Sequence, residues 1–434
     1  MTTISGETPA VTAHTGRHGL RQSLRRLGWG VADQGISSLS NFALGLYVAH
    51  SYGATNFGAF TLAFVTYTFV INAARGLATD PLLVRYSGDA NRRWRRGTSA
   101  ATGTAIVVGI VAGLICIGAG LLLTDPVGPM FVALGVGLPA LTLQDSWRFA
   151  FFASGRGLSA FINDFFWTVL LVLALVAWHG RGDGSAARCM LAFGVTAALA
   201  ALFGAVQARV LPRPDWVLWW LRAHRELSVR YLAENLCISG AYQLRSYVLG
   251  AVAGLAAVGY VRAAEILMGP FMVVLMGISQ AAVPEASRVF HRNSRHLARF
   301  CLILGGSQAA AAVAWGLVLI TVFPLGPGPA LLEELWMPTA QLIPAVALGI
   351  AAASFTTAAT AGLRAMGMAR RSLRAQLIGS AAYAIGGTIG AIWGGALGAS
   401  WGVTAALGFA AAVWWHQLRR GLADHHYAAG EAVR

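Results

Sequence analysis

Among the ionisable side chains inside long apolar stretches of this 434-residue chain, Asp33, Arg75, Glu234, Arg245 and Arg262 stand out. A charge in hydrocarbon is costly, so such residues face a polar cavity, pair with one another, or mark an ion or substrate path. Asp33 and Glu234 are carboxylates that can exchange a proton or hold a cation, which makes them candidates for ion coupling. The alternative is that they satisfy neighbouring helices. A guanidinium holds a phosphate through two parallel hydrogen bonds, so Arg75, Arg245 and Arg262 are candidates for an anionic substrate. For Arg262 an ion pair with Glu265, three residues on along the same helix face, is the competing expectation. Arg75 has no acid one turn away, although Asp80 is near, and is the better substrate candidate. Asp145 with Arg148, and Asn163 with Asp164, read as structural pairs at helix ends.

No nucleotide-binding loop, zinc ligand set or nucleophile triad is legible. Catalytic residues, metals and cofactors are therefore not expected, nor is an enzyme. A membrane glycosyltransferase or polymerase would need a sizeable outer loop with acidic residues, whereas the longest outer loops here run around 178–187 and 324–341. Cys116, Cys189, Cys237 and Cys301 each fall in or beside an apolar stretch and are expected to be small buried hydrophobes.

The elements that must position these groups are membrane helices. With 56% hydrophobic and 11% charged residues, the chain is too apolar for a water-soluble domain of its size. Runs of about 20 apolar residues, the length that crosses roughly 30 Å of hydrocarbon, recur at 28–50, 57–80, 99–123, 130–147, 158–178 and 189–208. A second set follows at 231–252, 259–284, 300–323, 342–363, 375–394 and 397–415. The expected fold is all-α and polytopic, with about twelve transmembrane helices.

The net charge of +15 would suggest a nucleic-acid partner in a soluble protein, but its placement assigns it to topology instead. All 32 basic residues are arginine. They gather in the N-terminal tail, after the second helix, in the central linker and in alternate loops thereafter, while only Arg181 and Arg188 fall in the opposite loops. The positive-inside rule then places both termini in the cytoplasm of a multi-pass inner (plasma) membrane protein. The expected organisation is a tail over 1–27, a six-helix bundle over 28–208, a cytoplasmic linker over 209–230, a second bundle over 231–415 and a tail over 416–434. Arg25 and Arg26 precede an apolar run too long for an export signal, which reads as the first permanent helix. In the linker, the run from Asp215 to Leu221 sets tryptophans among arginines, as a segment on the membrane surface would, with lipid recognition as the alternative.

The two six-helix segments repeat one another. At one common offset Asp33 aligns with Glu234, Gln34 with Asn235, Ser38 with Ser239, Gly53 with Gly254 and Gly58 with Gly259; Pro81 and Arg85 match Pro284 and Arg288 after a two-residue slip. Each half has an even number of spans, so the repeat is parallel, and two such halves can rock about a central cavity in alternating access.

The opening segment Leu39-Ser40-Asn41-Phe42, followed by the run from Gly53 to Phe60 and its echo from Gly254 to Tyr260, resembles the multidrug/oligosaccharidyl-lipid/polysaccharide (MOP) exporter superfamily. Within it the chain looks most like the polysaccharide-biosynthesis flippases. The resemblance implies a V-shaped pair of bundles around a cationic cavity, with Arg75, Arg245 and Arg262 as cavity residues. It implies as substrate an undecaprenyl-diphosphate-linked oligosaccharide moved to the outer leaflet, with membrane lipids around it and a polymerase and glycosyltransferases as pathway partners. A drug or cation antiporter of the same fold and a non-transporting assembly component are the alternatives.

Overall fold

The computed structural model describes residues 15–87, 91–179 and 185–431. The loop bearing Arg181, the first fourteen residues of the expected tail, and Arg434 lie outside the described residues. Among the described residues the chain is helical, with short turns and no strand. We number the long helices α1 (15–52), α2 (54–86), α3 (Asn91–Leu122), α4 (Val127–Ala153), α5 (Gly157–His179) and α6 (Ala186–Ala208). The second half has α7 (Arg225–Ala253), α8 (255–292), α9 (Leu297–Thr321), α10 (Ile343–Ala365), α11 (369–393) and α12 (396–431). Several helices run past the apolar stretch that defines them: α1 begins at Thr15, α7 at Arg225, and α12 ends at Glu431.

Among the described residues, eight helical segments are long and apolar enough to cross a membrane. Two of these, Ala32–Tyr86 and Arg370–His425, are each broken into two helices at non-helical glycines, Gly53 in the first and Gly394 and Gly395 in the second. α7 and α8 fall outside the eight for a physical reason. α7 carries Glu234, Asn235, Gln243 and Arg245, and α8 is interrupted at Met268 and carries Arg262 and Glu265. They trade hydropathy for the polar groups that the cavity needs.

The repeat appears in the backbone. Gly53 joins α1 to α2 at φ 72, ψ 171, and Gly254 joins α7 to α8 at φ 86, ψ 167, a left-handed turn in both halves that a side chain would oppose. Just beyond them the halves meet reciprocally. Gly58 lies against the Leu255 carbonyl and Gly259 against the Ala54 carbonyl, where a Cβ on Gly259 would come within 2.7 Å of that oxygen. Small residues at such crossings let membrane helices approach closely. The same end is covered by the segment between α9 and α10, whose Leu332, Leu335 and Trp336 are buried and whose Glu333 lies 3.7 Å from His50 of α1.

The largest apolar core gathers residues of both halves, including Leu44, Phe57 and Phe193 with Val258 and Ile266. At the end with the arginine-rich loops, the linker folds onto the first half. Trp220 is fully buried, and its indole N–H and the Ser228 hydroxyl both donate to the Leu77 carbonyl, at 3.1 Å each. Beside it, burial pushes the His224 imidazole below its usual range, at a ring distance of 4.0 Å from Trp220. Large apolar side chains such as Leu114, Leu121 and Trp393 are exposed, as lipid-facing residues should be.

Candidate functional site

A cavity of about 760 Å³ lies between the halves and is lined by α1, α2, α4 and α5 on one side and α7, α8, α10, α11 and α12 on the other. The volume is typical of a small-molecule site. Its ionic groups form two separate clusters.

The first-half cluster is built on α1, α2, α4 and α5. A turn of π-helix, Arg75–Thr79, widens α2 where it passes α4, a distortion that recurs at functional positions. Arg75 there clasps Asp145 through both ends of its guanidinium, Nε to Oδ2 at 2.9 Å and Nη2 to Oδ1 at 2.6 Å, and lies over the Phe149 ring. One turn along α4, Arg148 bridges two acids. Its Nε donates to Asp33 and stands 3.6 Å from Asp164, while Nη2 reaches Gln34 at 3.2 Å. Gln144 donates to Asp164 at 2.7 Å, and Asn163 ties α5 to the Ala200 carbonyl of α6. Asp33 is fully buried, yet its Oδ1 has no hydrogen-bond partner among the described residues. Three carboxylates thus face two guanidiniums.

The second-half cluster reverses that ratio. Glu265 of α8 accepts from Arg245 of α7 at 2.8 Å, from Arg262 at 3.4 Å and from the Tyr242 hydroxyl. Arg245 is stacked on Tyr242 and near Tyr383, whereas Arg262 lies over Phe64, a residue of the other half. The Arg245 side chain is 5% exposed and that of Arg262 25%, so of the two Arg262 is the more open to the cavity. Here two guanidiniums share one carboxylate. Hydrogen bonds join the halves at either side: Thr66 to Tyr247 at 2.6 Å, and Asn235 to Asp80 at 3.0 Å.

Of the residues singled out in the sequence, Arg75, Arg245 and Arg262 all line the cavity. Arg75 does have an acidic partner, Asp145, contributed by a different helix. Asp145 and Arg148 do not pair with each other at a helix end, because α4 continues to Ala153 and each reaches a separate helix. Asp33 and Glu234 part company: Asp33 is sealed inside the first cluster, while Glu234 is exposed on α7. Cys237 is exposed, unlike the three other cysteines. Among the described residues no group of acids, histidines and cysteines has a metal-holding arrangement.

No family model and no curated protein matches the chain. Solved structures do. An inward-facing multidrug resistance MATE family transporter of the MOP superfamily superposes with a TM-score of 0.74 at 14% identity, over 89% of this chain and 95% of that one. The lipid II flippase MurJ in an inward closed conformation gives 0.67 at 10% identity, over 90% and 86%. A MOP superfamily transporter from Pyrococcus furiosus, described as having a binding pocket of reverse polarity, gives 0.57 at 14% identity, over 93% and 95%. The fold is that of the MOP superfamily, as the sequence resemblance anticipated.

Proposed function

We propose that this multi-pass membrane protein of MOP-superfamily fold is a flippase, carrying a lipid-linked saccharide with a diphosphate from the cytoplasmic to the outer leaflet by alternating access. The observation that carries this reading is the second-half cluster, where Arg245 and Arg262 share the single carboxylate of Glu265. One guanidinium charge is left over beside a cavity at membrane depth. An anionic ligand stabilises it there through charge-assisted hydrogen bonds, and Arg75, clasped by Asp145, stands across the cavity as a second contact.

The remainder of the substrate has a route. A second opening, lined by Leu39, Phe42, Ile266 and Pro270 between α1 and α8, shares Arg262 and Glu265 with the main cavity. Acyl chains would stay in the bilayer while the phosphates enter. Coupling is proposed for Asp33, whose unpartnered oxygen lies in the acid-rich first cluster, in preference to the exposed Glu234. With the arginine-rich loops inside, the protein sits in the inner membrane with both termini cytoplasmic.

The same acid excess supports a second reading, a multidrug or cation antiporter. Gene deletion separates the two. The flippase reading expects lipid-linked oligosaccharide to accumulate on the inner leaflet and a surface glycan to be lost. Intact surface polysaccharide with new sensitivity to cationic drugs would establish the antiporter.

A further inference from the structure

We infer that the second half contains a saccharide subsite, separate from the ionic clusters, that holds the sugar next to the diphosphate; the inference rests on the flippase reading above. A pocket of about 490 Å³ opens beside the main cavity and shares Thr68, Asn72, Tyr242 and Tyr383 with it. Its own wall is Ser239 of α7, Thr356 and Thr357 of α10, Gln376 and Ser380 of α11, and Trp414 of α12. Among the described residues no charged side chain and no histidine lines it, whereas those of the adjoining cavity include four arginines and three acids.

Hydroxyls and amides at membrane depth are unfavourable unless something polar satisfies them. Here they are only partly satisfied from within. The Thr356 hydroxyl is buried with no hydrogen-bond partner among the described residues. Gln376 donates to Ser380 at 3.2 Å, and its carbonyl oxygen has no donor among the described residues. Thr357 donates to the Ala353 carbonyl and keeps its acceptor lone pairs. A sugar presents the matching surface, with hydroxyls that both donate and accept around its rim and a C–H face that lies against an aromatic ring. Tyr383 and Trp414 supply rings, and Gly379, where a Cβ would stand 3.3 Å from that of Ala410, lets α11 and α12 pack closely at the pocket wall. A hydrophobic cation finds no carboxylate in this pocket.

Position completes the assignment. Tyr242 belongs both to this pocket and to the Glu265 cluster, and Arg262 belongs both to that cluster and to the α1–α8 opening. Sugar, diphosphate and acyl chain thus have three contiguous sites in the order in which the molecule is bonded. Gln376 and Trp414 lie toward the end with the arginine-rich loops, where the glycan would enter.

The test uses the full-length protein in nanodiscs, titrated with farnesyl diphosphate and with farnesyl diphosphate bearing N-acetylglucosamine or galactose. The wild type is expected to bind a sugar-bearing compound about tenfold more tightly than farnesyl diphosphate, the equivalent of one or two neutral hydrogen bonds. Gln376→Leu and Thr357→Val should each erase most of that preference while leaving farnesyl diphosphate affinity unchanged, which also reports that the variants are folded. Wild-type binding of farnesyl diphosphate with no preference for either sugar, or a preference that survives in both variants, overturns the subsite alone. No wild-type binding of any of the three compounds overturns the flippase reading, and the subsite with it.

Discussion

The buried cluster of the first half sets Asp33, Asp145 and Asp164 against Arg75 and Arg148, whereas that of the second sets Arg245 and Arg262 against Glu265 alone. Formally one is a unit negative and the other a unit positive. The backbone beneath them is a repeat, down to the left-handed glycines at 53 and 254. At the repeat's offset Arg245 corresponds to the fully buried Leu44, and Glu265 to Phe64, the ring beneath Arg262. Symmetry supplies two bodies that meet reciprocally at Gly58 and Gly259. Its violation supplies the chemistry, with an acidic cluster suited to a proton or cation in one body and a basic cluster suited to an anion in the other.

The largest effect should come from removing the residue on which the first cluster depends. Arg148→Ala strands Asp33 and Asp164 in a buried site, and breaking a buried pair in this way costs about 3–5 kcal/mol. Arg245→Ala should cost less, because Glu265 keeps Arg262 and Tyr242. Thermal unfolding of the purified proteins checks the order, and equal losses would break the contrast between the clusters.

A smaller and more selective effect is expected at Arg262. Arg262→Ala cancels the positive excess and should weaken farnesyl diphosphate binding about ten- to a hundredfold, the worth of a charge-assisted hydrogen bond, with little change in stability. Glu265→Gln should move affinity the other way. If neither substitution changes the dissociation constant, the second half is not the anion site.

The subtlest change concerns coupling. Asp33→Asn should leave substrate binding intact while removing the response of transport to an imposed pH gradient, and Glu234→Gln should preserve that response. Should the two variants behave alike, the repeat would govern coupling and the asymmetry drawn here would not.

The helices, their number and the repeat were legible because hydropathy over about 20 residues and matching glycines are local signals. Arg75, Arg245 and Arg262 were legible as cavity residues for the same reason, since charge in an apolar run stands out. What was not legible was who pairs with whom. Spacing within one helix reveals Arg262 with Glu265, but Arg75 finds Asp145 on another helix, as Arg148 finds Asp33. The apolar run of α4 also ends short of the helix itself, which made Asp145 and Arg148 look terminal when they lie inside Val127–Ala153. The neutral pocket around Gln376 and Thr357 had no sequence signal, because scattered hydroxyls and amides acquire meaning only when three helices converge.

The central claim is that the cation-rich second half selects an anionic lipid-linked saccharide. Reconstituted proteoliposomes test it most directly, by comparing transbilayer movement of a fluorescent farnesyl-diphosphate-linked sugar with uptake of ethidium, for the wild type and Arg262→Ala. The account expects protein-dependent movement of the sugar compound, its loss in Arg262→Ala, and no ethidium uptake by either protein. Ethidium transport without movement of the sugar compound would contradict it.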